Sequence, residues 1–167
     1  LQILIVALVT IILVFTFVGR ITPVVGESML PTLHEGDVML IRDIGYTDPQ
    51  PGDIVVLTKE FDAARGPIVK RIIAVEGQTV DIDYQTGAVY VDGEALDEPY
   101  LNEPMEEPWY EDLTSVTVPE GSVFVMGDNR NHSNDSRDVT LGTVDTRYLL
   151  GKAEFICFPF SDFGRIG

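Results

Sequence analysis

The sequence predicts a mainly β domain with an antiparallel sheet, preceded by one N-terminal transmembrane helix. Residues 1–18 carry no charge and read LQILIVALVTIILVFTFV, whereas the rest of the chain contains short apolar runs separated by turn signals. Val, Ile, Phe and Tyr dominate these later runs, and no helical period persists in them. That pattern is typical of strands.

The first 19 residues are predicted to form a transmembrane anchor. Gln2, Thr10 and Thr16 are the only polar side chains among residues 1–18, and a helix of this length spans about 27 Å, close to the hydrocarbon thickness of a bilayer. A buried core helix is disfavoured because the run is apolar on every face. A cleavable signal peptide is disfavoured because its apolar region is usually roughly 7–15 residues and ends at small residues, and residues 17–20 are a poor cleavage site.

Strand-like runs account for much of the chain after the anchor. They are VMLIR at 38–42, DIVVL at 53–57, PIVKRIIAV at 67–75, TVDID at 79–83, AVYVDG at 88–93, SVFVMG at 122–127 and AEFICF at 153–158. Breakers such as YTDPQPG at 46–52 and the Asp92-Gly93 pair supply tight turns between them.

A strongly acidic stretch interrupts this pattern. No Lys or Arg occurs from Ile72 to Asn129, whereas 14 acidic side chains fall between Glu76 and Asp128. We predict a solvated acidic insertion of hairpins and loops, with a calcium site or a partner-binding surface as the alternative. No Asp-x-Asn-x-Asp-Gly loop occurs in the stretch, and no metal is assigned. The predicted division is 1–19 for the anchor, 20–79 and 119–167 for the core domain, and 80–118 for the inserted subdomain.

The composition limits the possible functions. With 11 basic against 27 acidic side chains in 167 residues, the formal charge is −16, and nucleic acid is not expected as a partner because phosphate neutralisation needs clustered Lys and Arg. Hydrophobic residues make up 45% of the chain, which is sufficient for a folded core. A single cysteine excludes an internal disulfide.

Lys70 is a candidate general base. It lies inside PIVKRIIAV at 67–75, where apolar neighbours on both sides are compatible with an inward-facing amine. Burial disfavours the charged form, and lowering the pKa of a lysine from about 10.4 to roughly 7–8 takes about 4 kcal/mol. On this fragment alone, the favoured alternative is that Lys70 extends to the surface while its stem packs on the sheet.

Two further stretches contain candidate groups. Ser28 follows a glycine and precedes a Pro-Thr turn, a setting that suits an acyl-transfer nucleophile with backbone N–H groups beside it, although serine before a turn is common. Residues 127–138 read GDNRNHSNDSRD. Asn and Asp at this density fold loops through hydrogen bonds to their own backbone, and such a loop can also supply a hydroxyl to a neutral lysine and carboxylates to Arg71.

These three stretches, in this order behind an apolar anchor, resemble bacterial type I signal peptidases of the Gram-positive type. These are membrane serine proteases of peptidase family S26, and they remove signal peptides from secreted proteins. The motifs that carry the resemblance are Ser-Met-x-Pro-Thr-Leu at 28–33, Gly36-Asp37, Gly52-Asp53-Ile-Val, Lys70-Arg71, and Gly-Asp-Asn-Arg…Ser-x-Asp-Ser-Arg at 127–137. The resemblance covers essentially the whole chain, and it implies an antiparallel β-sheet catalytic domain with a small inserted β/loop subdomain.

The resemblance also implies roles for individual residues. Ser28 would be the nucleophile, Lys70 the unprotonated general base and Ser133 the hydroxyl that orients the lysine amine. The supporting ion-pair network would consist of Asp128, Arg71, Asp135 and Arg137. The small S1 and S3 pockets, which would accept the small side chains of an Ala-x-Ala cleavage motif, would be lined by Val24, Val25, Met29, Leu33, Ile68 and Val69.

One position departs from part of the family. Gly26 stands two residues before Ser28, where some members have a hydroxyl residue that helps to bind the oxyanion. The resemblance therefore implies an oxyanion hole that rests on the backbone N–H of Ser28. It further implies no metal or cofactor, signal peptides of preproteins and the lipid bilayer as partners, and a single-pass protein of the cytoplasmic membrane with its catalytic domain on the extracytoplasmic face.

Three other interpretations compete with this one. A self-cleaving repressor-type Ser–Lys protease would share the β fold and the dyad, but it would carry a DNA-binding region, which the −16 charge opposes. A catalytically silent membrane-tethered β module could bind partners through the acidic insertion, although the joint presence of Ser28, Lys70 and Ser133 argues against it. A dyad of Cys157 with a histidine is the remotest option.

Overall fold

The computed structural model describes residues 2–17, 19–106 and 113–166. Within these ranges the chain forms one helix, α1 (Gln2–Phe17), and twelve strands. The strands are β1 (Arg20–Pro23), β2 (Val38–Arg42), β3 (Ile54–Leu57), β4 (Ile68–Val75), β5 (Thr79–Asp83), β6 (Ala88–Val91), β7 (Glu94–Ala95), β8 (Ser115–Thr117), β9 (Ser122–Met126), β10 (Val144–Asp145), β11 (Leu149–Phe158) and β12 (Gly164–Arg165). The portion of the predicted insertion at 107–112 lies outside the described residues.

The larger sheet has eight antiparallel strands in the order β1-β2-β11-β3-β4-β9-β10, with β12 paired to β11. Both faces of its middle are covered. Ile54 and Val56 of β3 pack into one apolar cluster, whereas Val55 and Leu57 pack into another, because successive side chains of a strand point to opposite faces. A strand that is buried on both faces reads as a continuous apolar run, as β3 and β4 do.

The smaller sheet contains the strands of the acidic stretch, in the order β7-β6-β5-β8. It packs against the larger sheet through a shared cluster in which Val80 and Val89 join Phe124 and Met126 of β9. Acidic side chains alternate with these apolar ones along β5, where Asp81 and Asp83 are half-buried and Val80 and Ile82 are buried. β5 is therefore an ordinary half-buried strand whose outward side chains include two aspartates.

The mainly β, antiparallel fold predicted from the sequence is confirmed. The runs at 38–42 and 79–83 coincide with β2 and β5. The prediction missed β1, β7, β8, β10 and β12, which have two to four residues each, too few for an alternating pattern to stand out. It also began β11 four residues late, because Gly151 and Lys152 break the apolar run there.

The N-terminal segment folds as α1 over Gln2–Phe17. Within the described residues, no helix is both long enough and apolar enough to cross a membrane.

Candidate active site

Ser28 and Lys70 meet between the loop that follows β1 and the third residue of β4. Lys70 Nζ donates a hydrogen bond to Ser28 Oγ at 2.6 Å, although the two residues lie 42 positions apart. The Lys70 side chain is buried because the turn that carries Ser28 and the polar loop after β9 cover its face of β4, with Ser28 hydrogen-bonded to Nζ and Asp135 close enough to act on its charge. This placement resolves the choice left open by the sequence, since Lys70 is only 3% exposed and does not extend to the surface.

Burial has a direct electrostatic consequence for the lysine. Desolvation lowers the pKa of Lys70 from its usual 10.5 to about 8; the nearby carboxylates of Asp135 and Asp128 oppose this change, and the Arg137 guanidinium reinforces it. At pH 7 about a tenth of the amine is therefore unprotonated, far more than for a lysine with its usual pKa, and this is the form that can accept a proton from a hydroxyl.

A tight turn presents Ser28 to the lysine. Gly26 adopts the left-handed region with φ of +86°, and the N–H of Leu30 donates to the carbonyl oxygen of Glu27 at 3.1 Å. The carbonyl oxygen of Ser28 accepts from the N–H of Asn129 at 3.0 Å. In the described part of the chain the N–H of Ser28 itself donates to no protein acceptor, so it is available to a ligand.

A buried ion pair connects β4 to the polar loop after β9. Arg71 binds Asp128 with two hydrogen bonds, from Nε to Oδ1 at 2.8 Å and from Nη2 to Oδ2 at 2.7 Å. The Arg71 side chain is 5% exposed and that of Asp128 is fully buried. The third nitrogen donates to the carbonyl oxygen of Gly52 at 3.0 Å, so the residue that follows the lysine is fixed on two sides.

A second buried ion pair shapes the polar loop itself. Arg137 donates to Asp135 through Nε at 2.8 Å and Nη2 at 2.9 Å, and Asp135 also accepts from the N–H of Gly127 at 2.9 Å. Although its complete burial acts in the opposite direction, the Arg137 guanidinium and the hydrogen bonds hold the pKa of Asp135 below its usual value. The carboxylate therefore stays charged beside the lysine.

Ser133, which was predicted to orient the lysine amine, donates its hydroxyl to Asp135 Oδ2 at 2.7 Å. Across the described residues, no hydrogen bond joins it to Lys70. The hydroxyl hydrogen of Ser133 is therefore donated to a carboxylate. Its oxygen could still accept a hydrogen bond from an amine through a lone pair. The orienting role of Ser133 stays a prediction.

Gly127 allows three segments to meet at the site. A Cβ atom on this residue would collide with the side chain of Ser133 and with the carbonyl oxygen of Ser28. The residue thus sets the distance between the end of β9, the nucleophile turn and the polar loop. Gly127 is part of the polar motif at 127–138, but its packing role becomes visible only once the three segments are placed.

Further residues contact the Arg71–Asp128 ion pair, although the sequence did not predict a role for them. The hydroxyl of Thr32 donates to Asp128 Oδ2 at 2.5 Å, and the ring of Tyr100 lies 4.0 Å from the guanidinium carbon of Arg71. The phenol of Tyr100 donates to Glu98, which in turn pairs with Arg130. Thr32 lay within the quoted Ser28 motif, but Glu98 and Tyr100 lie in the acidic stretch, where nothing in the pattern distinguished them from solvated side chains.

A cleft of about 260 Å³ opens beside the Ser28–Lys70 pair. It is lined by Thr22, Pro23, Val25, Ser28, Val56, Pro67, Ile68, Val69 and Lys70. Of the residues that the resemblance placed in substrate pockets, Val25, Ile68 and Val69 lie on this wall.

The other three predicted pocket residues are placed differently. Val24, Met29 and Leu33 are at most 3% exposed and belong to the apolar cluster, whereas Val25 is 81% exposed. Adjacent residues of an extended segment point in opposite directions, so Val24 packs inward while Val25 faces the cleft.

Other chemistries find little support at this site. Among the described residues, no group of three or more His, Cys, Asp and Glu side chains is arranged to hold a metal ion. Cys157 is half-buried in β11, and within the same part of the chain it makes no hydrogen bond to His34 or His132. No cysteine–histidine dyad is formed.

Comparisons with known proteins point to one family. The family model described as "Signal peptidase, peptidase S26" matches residues 1–158. A probable signal peptidase I-1 of Synechocystis sp. is 41% identical over 173 residues, which cover 98% of this chain and 84% of the relative. Signal peptidase I of Bacillus licheniformis is 36% identical over 167 residues, with 95% of this chain and 87% of the relative covered. A crystal structure of a signal peptidase I from Enterococcus faecalis superposes with a TM-score of 0.50 at 33% identity, over 64% of this chain and 97% of that chain.

Proposed function

The chain belongs to the signal peptidase family, peptidase S26, and from this premise we propose that it cleaves signal peptides with a Ser28–Lys70 dyad, after small residues of the Ala-x-Ala type. Membership makes it a serine endopeptidase that processes signal peptides. The observation that carries the finer proposal is the 2.6 Å hydrogen bond between Lys70 Nζ and Ser28 Oγ, made by a lysine that is almost fully buried.

The proposed reaction begins with proton transfer within this pair. Neutral Lys70 takes the proton of Ser28 as Oγ attacks the scissile carbonyl carbon and an oxyanion forms. Collapse of this intermediate breaks the peptide bond, the protonated Lys70 gives its proton to the leaving amine, and an ester links the acyl half of the substrate to Ser28. Lys70 then activates a water molecule that hydrolyses the ester and regenerates the hydroxyl.

The N–H of Ser28 is the proposed donor to the oxyanion. It has no protein acceptor in the part of the chain that the structure describes, and Gly26 offers no side chain that could add a second donor. Backbone donors of this type stabilise the negative charge that develops in the transition state.

The cleft beside the dyad is proposed to hold the residues before the cleavage point. Its Val25, Ile68 and Val69 walls suit apolar side chains, and the proposed preference for small ones comes from the family. Residues 68–70 of β4 pair with β3 on one side, whereas the described pairing with β9 begins only at Arg71. An extended substrate could therefore form backbone hydrogen bonds along the open side, in the manner of an added strand.

Membrane tethering is proposed from the character of the N-terminal helix. Ile3, Leu4 and Val6 on α1 are 64% to 87% exposed, and apolar side chains on an isolated helix are best accommodated by lipid. We propose residues 1–19 as a single-pass anchor of the cytoplasmic membrane, which holds the catalytic domain on the extracytoplasmic face. The catalytic core would consist of 20–79 and 119–167, with 80–118 as an inserted subdomain.

The test is cleavage of a preprotein with an Ala-x-Ala site, in detergent or liposomes, by the wild-type chain, Ser28→Ala and Ser161→Ala. Ser161 is exposed, lies outside the site and serves as the matched control. We expect Ser28→Ala to lose about 10⁶-fold in rate, as nucleophile removal does in a well-studied serine protease, while Ser161→Ala keeps the wild-type rate. The wild-type rate should rise as the pH increases through about 8, where Lys70 loses its proton.

Two results would contradict the proposal. Cleavage that survives in Ser28→Ala would remove Ser28 from the reaction. No cleavage by a folded wild-type chain would instead favour the silent binding module.

A further inference from the structure

Asn129 forms two hydrogen bonds to the backbone of the turn that carries the nucleophile Ser28. Its backbone N–H donates to the carbonyl oxygen of Ser28 at 3.0 Å, and its side-chain Nδ2 donates to the carbonyl oxygen of Glu27 at 3.1 Å. The two carbonyls flanking Ser28 are thus both held by one residue, which is 5% exposed. Asn129 immediately follows Asp128, the partner of Arg71, so its backbone position is fixed by the buried ion pair.

The bond to Glu27 has a consequence for the N–H of Ser28. The carbonyl of Glu27 and the N–H of Ser28 belong to one planar peptide unit, and in a trans peptide these two groups point in opposite directions. Because Asn129 and the N–H of Leu30 both donate to the Glu27 oxygen, the plane of the peptide is fixed. The N–H of Ser28 consequently points away from both donors.

The side chain of Asn129 is also oriented unambiguously. With the amide reversed, Oδ1 would face the Glu27 oxygen, and two acceptors would stand about as close as the present 3.1 Å contact. In the orientation that donates, Oδ1 is buried and accepts no hydrogen bond from any of the residues that the structure describes. Leaving a buried acceptor unpaired costs about 1–3 kcal/mol, a cost that a purely structural residue could avoid with an apolar side chain of similar size.

From this arrangement we propose that Asn129 is the positioning residue of the oxyanion hole: its side-chain amide orients and polarises the Glu27–Ser28 peptide so that the N–H of Ser28 binds the oxyanion. The inference rests on the proposed Ser28 mechanism. Hydrogen bonds in series strengthen one another, so donation to the Glu27 oxygen makes the N–H of Ser28 a stronger donor. Asn129 touches neither the substrate carbonyl nor the reacting Oγ, and it acts through the peptide.

The experiment compares the full chain in detergent with Asn129→Asp, Asn129→Ala and Asn131→Ala. An ionised aspartate has the shape of asparagine but cannot donate, and alanine removes the amide. Asn131 is the control, because it lies in the single-turn helix that follows Asn129 directly but bonds to Glu103 and Pro104 of the insertion. We expect kcat to fall about 10- to 100-fold in both Asn129 variants, somewhat less than for outright loss of an oxyanion donor, with KM unchanged and Asn131→Ala at the wild-type kcat.

A second measurement separates positioning from general loss of structure. A peptide aldehyde that ends in alanine adds to Ser28, whose Oγ bonds to the aldehyde carbon as its proton moves to Lys70, and the adduct carries an oxyanion. The corresponding peptide alcohol binds without forming a bond. We expect the Asn129 variants to bind the aldehyde about 10- to 100-fold more weakly, in proportion to their loss in kcat/KM, and the alcohol with unchanged affinity.

Three outcomes would overturn the inference: a wild-type kcat in both folded Asn129 variants, a parallel loss of aldehyde and alcohol binding, or an equal loss in Asn131→Ala. If one of the two Asn129 variants does not fold, the other decides. Failure of the proposed mechanism gives a different result, namely cleavage that persists in Ser28→Ala. Loss of activity in Ser28→Ala together with full activity in both Asn129 variants would therefore refute only the role of Asn129.

Discussion

Two Asp-x-Arg segments, ten residues apart in the sequence, make nearly the same ion pair in opposite surroundings. Arg137 binds Asp135 through Nε at 2.8 Å and Nη2 at 2.9 Å, and Arg147 binds Asp145 through the same nitrogens at 2.9 and 2.8 Å. The first pair is 7% and 0% exposed and lies beside Lys70, whereas the second is 86% and 35% exposed. Geometry alone therefore does not distinguish the pair that supports the active site from the pair on the surface.

The difference lies in what else each pair holds. Asp135 also accepts hydrogen bonds from the Gly127 N–H and the Ser133 hydroxyl, and Arg137 also donates to the carbonyl oxygens of Arg130 and Ser133. The surface pair adds only a bond from the backbone N–H of Arg147 to its own aspartate. A desolvated pair with these extra bonds fixes a loop, whereas a solvated pair competes with water and contributes little.

The largest expected contrast comes from replacing each arginine by glutamine. Arg137→Gln leaves the buried carboxylate of Asp135 without its counter-ion, and we expect the free energy of unfolding to fall by about 3–5 kcal/mol. Arg147→Gln removes a charge from a solvated pair, and the free energy of unfolding should stay within experimental error. Urea unfolding of the two variants and the wild type, in the same detergent, gives the comparison. Equal effects in the two variants would mean that burial does not control the strength of these pairs.

The sequence could predict the outline of the molecule but not this contrast. The β2 run is visible as consecutive apolar residues and the β5 run as alternating polar and apolar ones, and the Ser28, Lys70 and 127–137 motifs could be assigned by resemblance. Nothing in Asp-Ser-Arg or Asp-Thr-Arg indicates which pair is buried, because burial depends on strands that meet from distant parts of the chain.

Contacts between distant parts of the chain also determine those details of the site that could not be predicted from the sequence. Lys70 is buried because the Ser28 turn and the polar loop after β9 cover its face of the strand, although the local sequence favoured an exposed amine. Tyr100 lies on Arg71 only because the smaller sheet packs on β9. The hydrogen bond from the Asn129 side chain to the carbonyl oxygen of Glu27 joins residues that are 102 positions apart in the sequence. These features are consequences of tertiary packing, on which single-sequence patterns carry no information.

A medium-sized effect on stability is expected from Lys70. This lysine is buried, and among the described residues it hydrogen-bonds to Ser28 but to no carboxylate. Its pKa falls from 10.5 to about 8 on folding, so below pH 8 the folded state bears a protonated amine that it disfavours by roughly 3 kcal/mol. Wild-type stability should therefore rise as the pH increases from about 8 to 10.5, where the unfolded chain binds more protons. Lys70→Met should be about 2–3 kcal/mol more stable than the wild type at pH 6, and this gain should shrink over the same interval.

Lys152→Met is the matched control for that measurement. Lys152 Nζ donates to Asp53 Oδ1, and Asp53 is almost buried, so replacing Lys152 removes the counter-ion of this carboxylate and should lower the stability at pH 6 rather than raise it. Chemical unfolding of both variants at several pH values tests the opposite signs. A Lys70→Met chain that is less stable than the wild type at pH 6 would show that the protonated lysine is well accommodated in the folded protein.

The smallest expected effect is the response of the two aspartates to salt. Hydrogen bonds from Arg147 lower the pKa of Asp145 to about 2, and this carboxylate is open to solvent ions. Raising the ionic strength from about 0.05 to 1 M shortens the screening length to about 3 Å and should raise the pKa of Asp145 by about 0.5. Asp135 is fully buried, so ions cannot approach it and its lowered pKa should not move. Titration of the aspartate carboxyl ¹³C signals at both ionic strengths measures the two values in one sample. Since the pairs share their geometry, an equal response would mean that water and ions reach the loop beside Lys70, and the low pKa of the lysine would then need a cause other than desolvation.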